Sequence, residues 1–184
     1  LYETIKKNKG LSYEELAFKI IKEFFTDIDE NELREAIDEA YNNRFKPELN
    51  KSYLELYHGP TCAFKDAALL FLPQIMKRAK KSLGVNEEIV ILTATSGDTG
   101  KAALEGFSSV DGFKVVVYYP KNGVSAIQER QMATQEGDNV KVFGIKGNFD
   151  NAQTGVKKIF GDERLKEELK KNGYILSSAN SINI

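Results

Sequence analysis

The sequence predicts an α/β fold in which a helical hairpin precedes an open, mainly parallel sheet with flanking helices. Two amphipathic patterns occupy the first 41 residues, and from Tyr53 onward short apolar runs alternate with helical stretches. This alternation is typical of parallel strands joined by crossover helices. With 184 residues and a hydrophobic fraction of 41%, the chain can bury one sizeable core.

The N-terminal hairpin is predicted from two helical patterns, each of which follows a capping signal. Ser12 with Glu15 forms a capping box before the first pattern, and Asp29 with Glu32 precedes the second. Residues 42–52 are polar around Pro47 and are interpreted as a linker. These signals predict a helical subdomain over residues 1–48 and an α/β domain over residues 49–184.

Five apolar runs predict the strands of the second domain, at Tyr53–Tyr57, Ile89–Leu92, Lys114–Tyr118, Val140–Phe143 and Tyr174–Leu176. A largely apolar helix is predicted from about Phe64 to Leu83, with a kink at Pro73. Later helix ends carry capping residues, which are Ser125 with Gln128, Asp150 with Gln153, and Gly173 at the close of the last helix.

The composition excludes several classes of function. The 26 basic and 27 acidic side chains nearly cancel, so the chain lacks the basic field that attracts nucleic acid. No apolar run is long enough to cross a membrane, and no signal peptide is visible. One cysteine and one histidine cannot supply a disulfide framework or a zinc site of His/Cys type. A cytoplasmic, metal-free protein is therefore expected.

Lys65 is the candidate catalytic residue, because it lies on the first turn of an apolar helix without neighbouring cations. Partial burial and a helix N-terminus both disfavour a lysine ammonium, which leaves an amine that can attack a carbonyl. The alternative is a surface lysine beside Asp66. The roles of His58 and Cys62, which lie in the preceding loop, stay open.

Residues 95–100, Thr-Ser-Gly-Asp-Thr-Gly, which we call the glycine turn, combine hydroxyls, backbone N–H groups and a helix N-terminus, the elements of an anion receptor. The charge of Asp98 favours a carboxylate or a ring hydroxyl over a phosphate. The alternative is an ordinary helix start with Asp98 or Ser96 as N-cap. Because ligands of open parallel sheets bind beyond the carboxyl ends of the strands, we expect the turn and the lysine loop, residues 57–65, to line one site.

The segment from Ser177 to Ile184 follows the last predicted strand and adds hydroxyl and amide groups at the same sheet edge. Its alternative interpretation is an ordinary strand-to-helix loop. The chain stops there with no helix to cover the strand, which predicts a fragment of a longer polypeptide.

Five motifs in this order resemble threonine synthase in the longer form of bacteria and fungi. They are His58-Gly59-Pro60-Thr61, Phe64-Lys65-Asp66, the segment from Thr93 to Gly100, Gly147-Asn148-Phe149-Asp150, and Asn180-Ser181-Ile182-Asn183-Ile184. The resemblance implies a pyridoxal phosphate enzyme of the tryptophan synthase β-like fold (fold type II), of which this chain would be the small domain. Such a lyase of threonine biosynthesis converts O-phospho-L-homoserine and water to L-threonine and phosphate.

The resemblance also implies roles for individual residues. Lys65 would be the Schiff-base lysine that holds the cofactor and shuttles protons, with Asp98 beside the cofactor's ring hydroxyl. The substrate carboxylate would be received by Thr95, Ser96, Gly97 and Thr99, and the substrate phosphate by Asn180 and Ser181. The groups that bind the cofactor phosphate and the pyridine nitrogen would lie in the missing C-terminal half, so the isolated chain is expected to bind the cofactor weakly and to be inactive.

Two other interpretations remain at this stage. The Ser-Gly-x-Thr-Gly pattern is shared with other fold-type II lyases, such as serine/threonine dehydratases and phosphate-eliminating relatives, although Asp98, Asn180 and Ser181 favour the synthase. A rival of another class is a non-catalytic anion-binding or interaction module, in which Lys65 and the glycine turn are only ordinary helix starts.

Overall fold

The fold was analysed in a computed structural model, which describes residues 2–8 and 10–179 and confirms the predicted α/β class. The helices are α1 Tyr2–Lys7, α2 Tyr13–Ile21, α3 Glu30–Tyr41, α4 Asp66–Leu69, α5 Phe71–Ser82, α6 Asp98–Phe107, α7 Ala126–Ala133, α8 Phe149–Gly161 and α9 Glu163–Lys171. The strands are β1 Glu48–Asn50, β2 Tyr53–Glu55, β3 Glu88–Ala94, β4 Phe113–Pro120, β5 Val140–Ile145 and β6 Tyr174–Ser177. None of the described helices is long and apolar enough to span a membrane.

Four strands form the central sheet in the order β5-β4-β3-β6, and each neighbouring pair is parallel. The chain runs outward from β3 through β4 to β5 and then returns to β6 on the other side of β3. The strand order therefore reverses between β3 and β6. In an open α/β sheet this is the position where a crevice forms beyond the carboxyl ends of the strands and receives ligands.

The main core lies between the sheet and α6. Side chains alternate along a strand, so Ile91, Val115 and Val117 point to one face, where they are fully buried. They pack in one cluster with the α6 residues Leu104 and Phe107. The opposite face of β3 and β4 contacts α8. The layers on both faces hold the two central strands in place, and with them the loops at their carboxyl ends.

The N-terminal helices form a second cluster, in which Phe18, Leu33 and Ile37 pack with Leu70 and Phe71. The capping box of Ser12 and Glu15 begins α2, and the Asp29 side chain accepts hydrogen bonds from the N–H groups at the start of α3, as predicted. The apolar cluster packs the helical hairpin against the start of α5. The domain boundary at residues 48 and 49 stays a prediction.

The predicted strand at Tyr53–Tyr57 does not belong to the parallel sheet. Residues Tyr53–Glu55 form β2, which pairs antiparallel with β1 in a separate two-stranded hairpin. Strand β1 lies inside the segment that was interpreted as a linker. The connection is the two-residue turn at Lys51 and Ser52, in which Lys51 has a left-handed φ of 55°. An apolar run alone does not reveal its pairing partner, and here the partner is only a few residues away.

The single helix predicted from Phe64 to Leu83 is two helices, α4 and α5, separated at Leu70. Pro73 has no N–H to donate to the carbonyl of Leu69, four residues earlier, so the helix is broken rather than kinked. That carbonyl lies against Gly106 of α6, where a Cβ would be only 2.0 Å from the oxygen. The break lets α4 and α6 approach through their backbones.

The capping residues predicted for the start of α8 were also wrong. The N-cap is Asn148, which forms a capping box with Asn151, not Asp150 with Gln153. The capping box at Ser125 and Gln128 is present as predicted. Gly173, with φ of 82°, lies between α9 and β6, where the sequence placed the end of the last helix.

Candidate active site

Lys65 lies directly before α4, at its N-cap position. The residue is partly buried, and its Nζ is 4.6 Å from the centre of the Phe64 ring. The short helix α4 begins at the next residue, Asp66, so the predicted location at a helix start is correct to within one residue. The lysine loop reaches the glycine turn although β2 is not part of the sheet, and side-chain contacts account for this convergence.

Asp66 anchors the lysine loop from inside the protein. Its side chain is fully buried, Oδ2 accepts a hydrogen bond from the Thr61 N–H at 2.9 Å, and Oδ1 accepts one from the Thr61 hydroxyl at 2.6 Å. Burial raises the pKa of Asp66, and the hydrogen bonds from Thr61 oppose that rise. A Cβ on Gly59 would lie 2.5 Å from Asp66 Oδ2, so a glycine is required where the loop passes over the carboxylate.

The glycine turn is held by the hydroxyl of Thr95, a residue that is only 1% exposed. Its Oγ1 accepts hydrogen bonds from the N–H groups of Gly97 and Gly100, both at 2.9 Å. The N-cap of α6 is Gly97, whose φ of 142° favours glycine, and no side chain caps this position. The alternative in which Asp98 or Ser96 caps the helix is therefore wrong, because Thr95 satisfies these donors instead.

The first turn of α6 keeps donors for a ligand. Within residues 2–8 and 10–179, the N–H groups of Asp98 and Thr99 have no hydrogen-bond acceptor. They lie at the positive end of a ten-residue helix. This arrangement suits a small anion such as a carboxylate.

Asp98 is the ionised centre of the site. Its Oδ1 accepts hydrogen bonds from Gln128 Nε2 at 2.9 Å and from Lys101 Nζ at 3.1 Å. Burial alone would raise the pKa of Asp98, but the hydrogen bonds from Gln128 and Lys101, together with the charges of Lys101 and Lys65, outweigh it and lower the pKa.

Sequence reasoning missed Lys101 and Gln128. Lys101 Nζ also donates a hydrogen bond to the carbonyl oxygen of Thr61 at 2.9 Å, so this side chain joins the two loops. Its position three residues after Asp98, on the same helical face, was a signal that could have revealed the pair. Gln128 comes from α7, and no local pattern connects it with Asp98.

The segment after β6 also reaches the site. The Thr93 hydroxyl donates a hydrogen bond to the Ala179 carbonyl oxygen at 3.1 Å, which ties this segment to the end of β3. This contact lies at the crevice where the strand order reverses. Asn180 and Ser181 lie outside the described residues, so their predicted contacts with a phosphate stay a prediction.

Within the described residues, His58 makes no hydrogen bond to Asp98, Lys101 or Gln128. The hairpin register places Glu48 directly opposite Glu55, and His58 Nε2 lies 2.7 Å from Glu55 Oε2 and 4.0 Å from Glu48 Oε2. Hydrogen bonds from Asn50, His58 and then Tyr57 lower the pKa of Glu55 to about 2. One carboxylate oxygen each of Glu48 and Glu55 and one ring nitrogen of His58 lie within 4.8 Å of one another. His58 Nε2 thus lies beside both of the carboxylates that face each other across the hairpin.

Comparison with known proteins bears directly on this site. A family model described as "Threonine synthase N terminus" matches residues 2–41. The threonine synthase of Pseudomonas aeruginosa is 39% identical over 190 residues, which cover 98% of this chain and 39% of that protein. A crystal structure of pyridoxal-phosphate-bound threonine synthase from Brucella melitensis has a TM-score of 0.84 at 35% identity and covers 100% of this chain and 40% of that one. The yeast threonine synthase structure gives a TM-score of 0.81 at 34% identity, over 95% of this chain and 37% of that one. The chain spans about two fifths of the length of these relatives.

Proposed function

Because this chain is a homologue of the threonine synthases along nearly its whole length, we propose that it forms the cofactor-side part of a threonine synthase active site. The full reaction would convert O-phospho-L-homoserine and water to L-threonine and phosphate. The observation that carries the proposal is that Lys101 joins the lysine loop, at the Thr61 carbonyl, to Asp98 in the first turn of α6, which follows the carboxyl end of β3 beside the switch point of the sheet.

The described residues fit pyridoxal phosphate at its aldehyde and ring-hydroxyl side. Lys65 offers a partly buried amine for the aldehyde carbon, and Asp98 offers a carboxylate that is already held ionised by two donors. Within the described part of the chain Asp98 Oδ2 has no hydrogen-bond donor, so it can accept one from a ring hydroxyl. When bound, the cofactor supplies an electron sink for the bonding electrons released at the substrate Cα.

Lys65 would act as the proton carrier of the reaction. With substrate and cofactor bound, its Nζ would lie beside the substrate carbons, where it could take and return a proton. The Phe64 ring, whose centre is 4.6 Å from Nζ, lies against one side of the amine. Asp98, the first residue of α6, would stay ionised and would fix the position of the ring hydroxyl from which it accepts a hydrogen bond.

The glycine turn would receive the substrate carboxylate. The free N–H groups of Asp98 and Thr99 lie at the positive end of α6, and the hydroxyls of Ser96 and Thr99 can add hydrogen bonds. Gly97 lets the backbone take the left-handed conformation that the turn needs. Thr95 contributes by holding the turn open, because its oxygen already accepts two N–H groups.

The remaining groups of the site would come from the part of the relatives' length that this chain does not span. We propose that Asn180 and Ser181, which follow Ala179 in the sequence, bind the substrate phosphate. The partners are then the substrate O-phosphohomoserine and the C-terminal part of the same polypeptide, in the cytoplasm. The inactivity of the 184-residue chain by itself stays a prediction.

Borohydride trapping tests the assignment of Lys65. The chain is incubated with a limiting amount of pyridoxal phosphate, reduced, digested and mapped by peptide mass. We expect the label to concentrate on Lys65, since its amine has no hydrogen-bond or ion-pair acceptor within the described residues whereas the amine of Lys101 is paired with Asp98, and to be lost from that peptide in Lys65→Arg. A matched control is Lys114→Arg, which removes a half-exposed lysine that pairs with Glu88 and should leave the labelling pattern unchanged. Label scattered over surface lysines in proportion to their exposure would refute the proposal.

A further inference from the structure

Lys101 is the one buried cation within the described residues, and the proposed reaction uses it only as one of the two donors that hold Asp98 ionised. Its side chain is 8% exposed, although it belongs to the first turns of α6 at the edge of the crevice. A lysine almost never becomes buried unless its charge is paired, because desolvation of an ammonium is costly. The groups that pair with Lys101 therefore identify what its burial achieves.

Its ammonium makes two contacts that belong to different loops. Nζ is 2.9 Å from the carbonyl oxygen of Thr61 in the lysine loop and 3.1 Å from Oδ1 of Asp98 in the glycine turn. Thr61 in turn donates its N–H and its hydroxyl to Asp66, the residue after Lys65. A continuous chain of contacts thus runs from the side-chain carboxylate of Asp66, through Thr61 and Lys101, to the carboxylate of Asp98.

We propose that Lys101 is a positioning residue of this site, which locks the lysine loop to the glycine turn and keeps Asp98 as an acceptor-only carboxylate. The role of Asp98 toward a ligand rests on the proposed function, whereas the lock itself does not. Lys101 and Gln128 occupy Oδ1, which leaves Oδ2 as the carboxylate oxygen without a donor within the described residues. An acceptor-only group selects a ligand atom that carries a proton, such as a ring hydroxyl, and disfavours an anion at that position.

The charged groups around Lys101 and Asp98 come from three elements. Lys65, before α4, acts on Asp98 in the same direction as Lys101. Asp66 of α4 and Glu105 of α6 are the acidic groups nearby, and both Glu105 and Lys101 act on Asp66. Gln128 of α7 is neutral. Among these groups, Lys101 is the cation that touches Asp98 directly, so its removal should be felt first at that carboxylate.

Carboxyl ¹³C NMR titration of Asp98 in the 184-residue chain tests the proposal without any cofactor, so its failure is distinct from failure of the proposed function. Lys101→Gln removes the charge while the Thr61 carbonyl keeps its hydrogen bond from Gln131 Nε2 at 3.3 Å, whereas Lys101→Arg keeps the charge. We expect the Asp98 midpoint to move upward in K101Q and to stay near the wild-type value in K101R. The control K114M removes a cation from the pair with Glu88 and should leave the Asp98 midpoint unchanged.

Equal midpoints in wild type, K101Q and K101R would overturn the proposal, and so would equal upward shifts in both variants. If K101Q does not fold, the wild type supplies the test through the ¹⁵N resonance of the Lys101 ammonium. This resonance should shift with the same midpoint as the Asp98 carboxyl, because Nζ touches Oδ1. A ¹⁵N resonance that does not follow the Asp98 titration would overturn the proposal.

Discussion

Replacement of Gly106 by alanine tests whether backbone contact between α4 and α6 sets the geometry of the site. Gly106 lies inside α6, and a Cβ there would be 2.0 Å from the Leu69 oxygen and 2.9 Å from the Leu69 carbonyl carbon. A Cβ atom essentially never lies within 3.0 Å of a heavy atom from another part of the chain, so the two helices must separate by at least about 1 Å. Both partners are backbone atoms, and neither can rotate away.

Two opposing effects determine the expected change in stability. An alanine in a helix interior is favoured over glycine by roughly 0.8–1 kcal/mol. Overpacking a close contact costs about 1–3 kcal/mol, occasionally more, and the cost rises when backbone has to move. Because the contact in Gly106→Ala is with backbone atoms, we expect the overpacking to cost about 3 kcal/mol or more. The helix preference for alanine offsets part of this cost, so the net loss of stability should be about 2 kcal/mol or more. A loss of that size lowers Tm by roughly 4–8 °C in a chain of this length.

Urea denaturation followed by far-UV circular dichroism measures this change, with Gly155→Ala as the matched control. Gly155 lies inside α8 and has no heavy atom within 4 Å of the position of a Cβ. Alanine there should raise stability by about 0.5–1 kcal/mol, because only the helix preference acts. If G106A were as stable as wild type, or gained stability as G155A should, the reasoning from the contact with Leu69 would be wrong.

The other predictions concern single hydrogen-bonded groups. Thr95→Val removes the acceptor of the Gly97 and Gly100 N–H groups and should cost about 2 kcal/mol in urea denaturation, whereas Thr95→Ser keeps the hydroxyl and should cost clearly less; equal losses in both variants would contradict this role. Because the pKa of Glu55 falls from 4.5 to about 2 on folding, its contribution to stability is complete above about pH 4.5 and disappears as the pH falls towards 2. The stability difference between wild type and Glu55→Gln should therefore shrink over that range in a pH series of denaturation curves, and a difference that stays constant from pH 6 to 2 would argue against it.

Local sequence patterns determined much of this fold. The capping boxes at Ser12 and Ser125 and the apolar runs that became β3 to β6 involve residues that are neighbours along the chain. Their physical cause is short-range, because a cap needs only the next helical turn and a strand needs only alternating side chains. The position of Lys65 at a helix start and of the glycine turn after β3 follow from the same kind of signal.

Only the tertiary structure decided which of these elements meet. The run at Tyr53 pairs with β1 instead of the sheet, and the lysine loop reaches the glycine turn through Lys101. The approach of Leu69 to Gly106 likewise joins residues from separate helices. A run of apolar residues indicates that a strand is buried. Its pairing partners, and the partners of buried ion pairs, depend on the three-dimensional positions of groups far apart in the chain. The chemical groups of the site are thus readable in the sequence, whereas the network that holds them in place arises from packing.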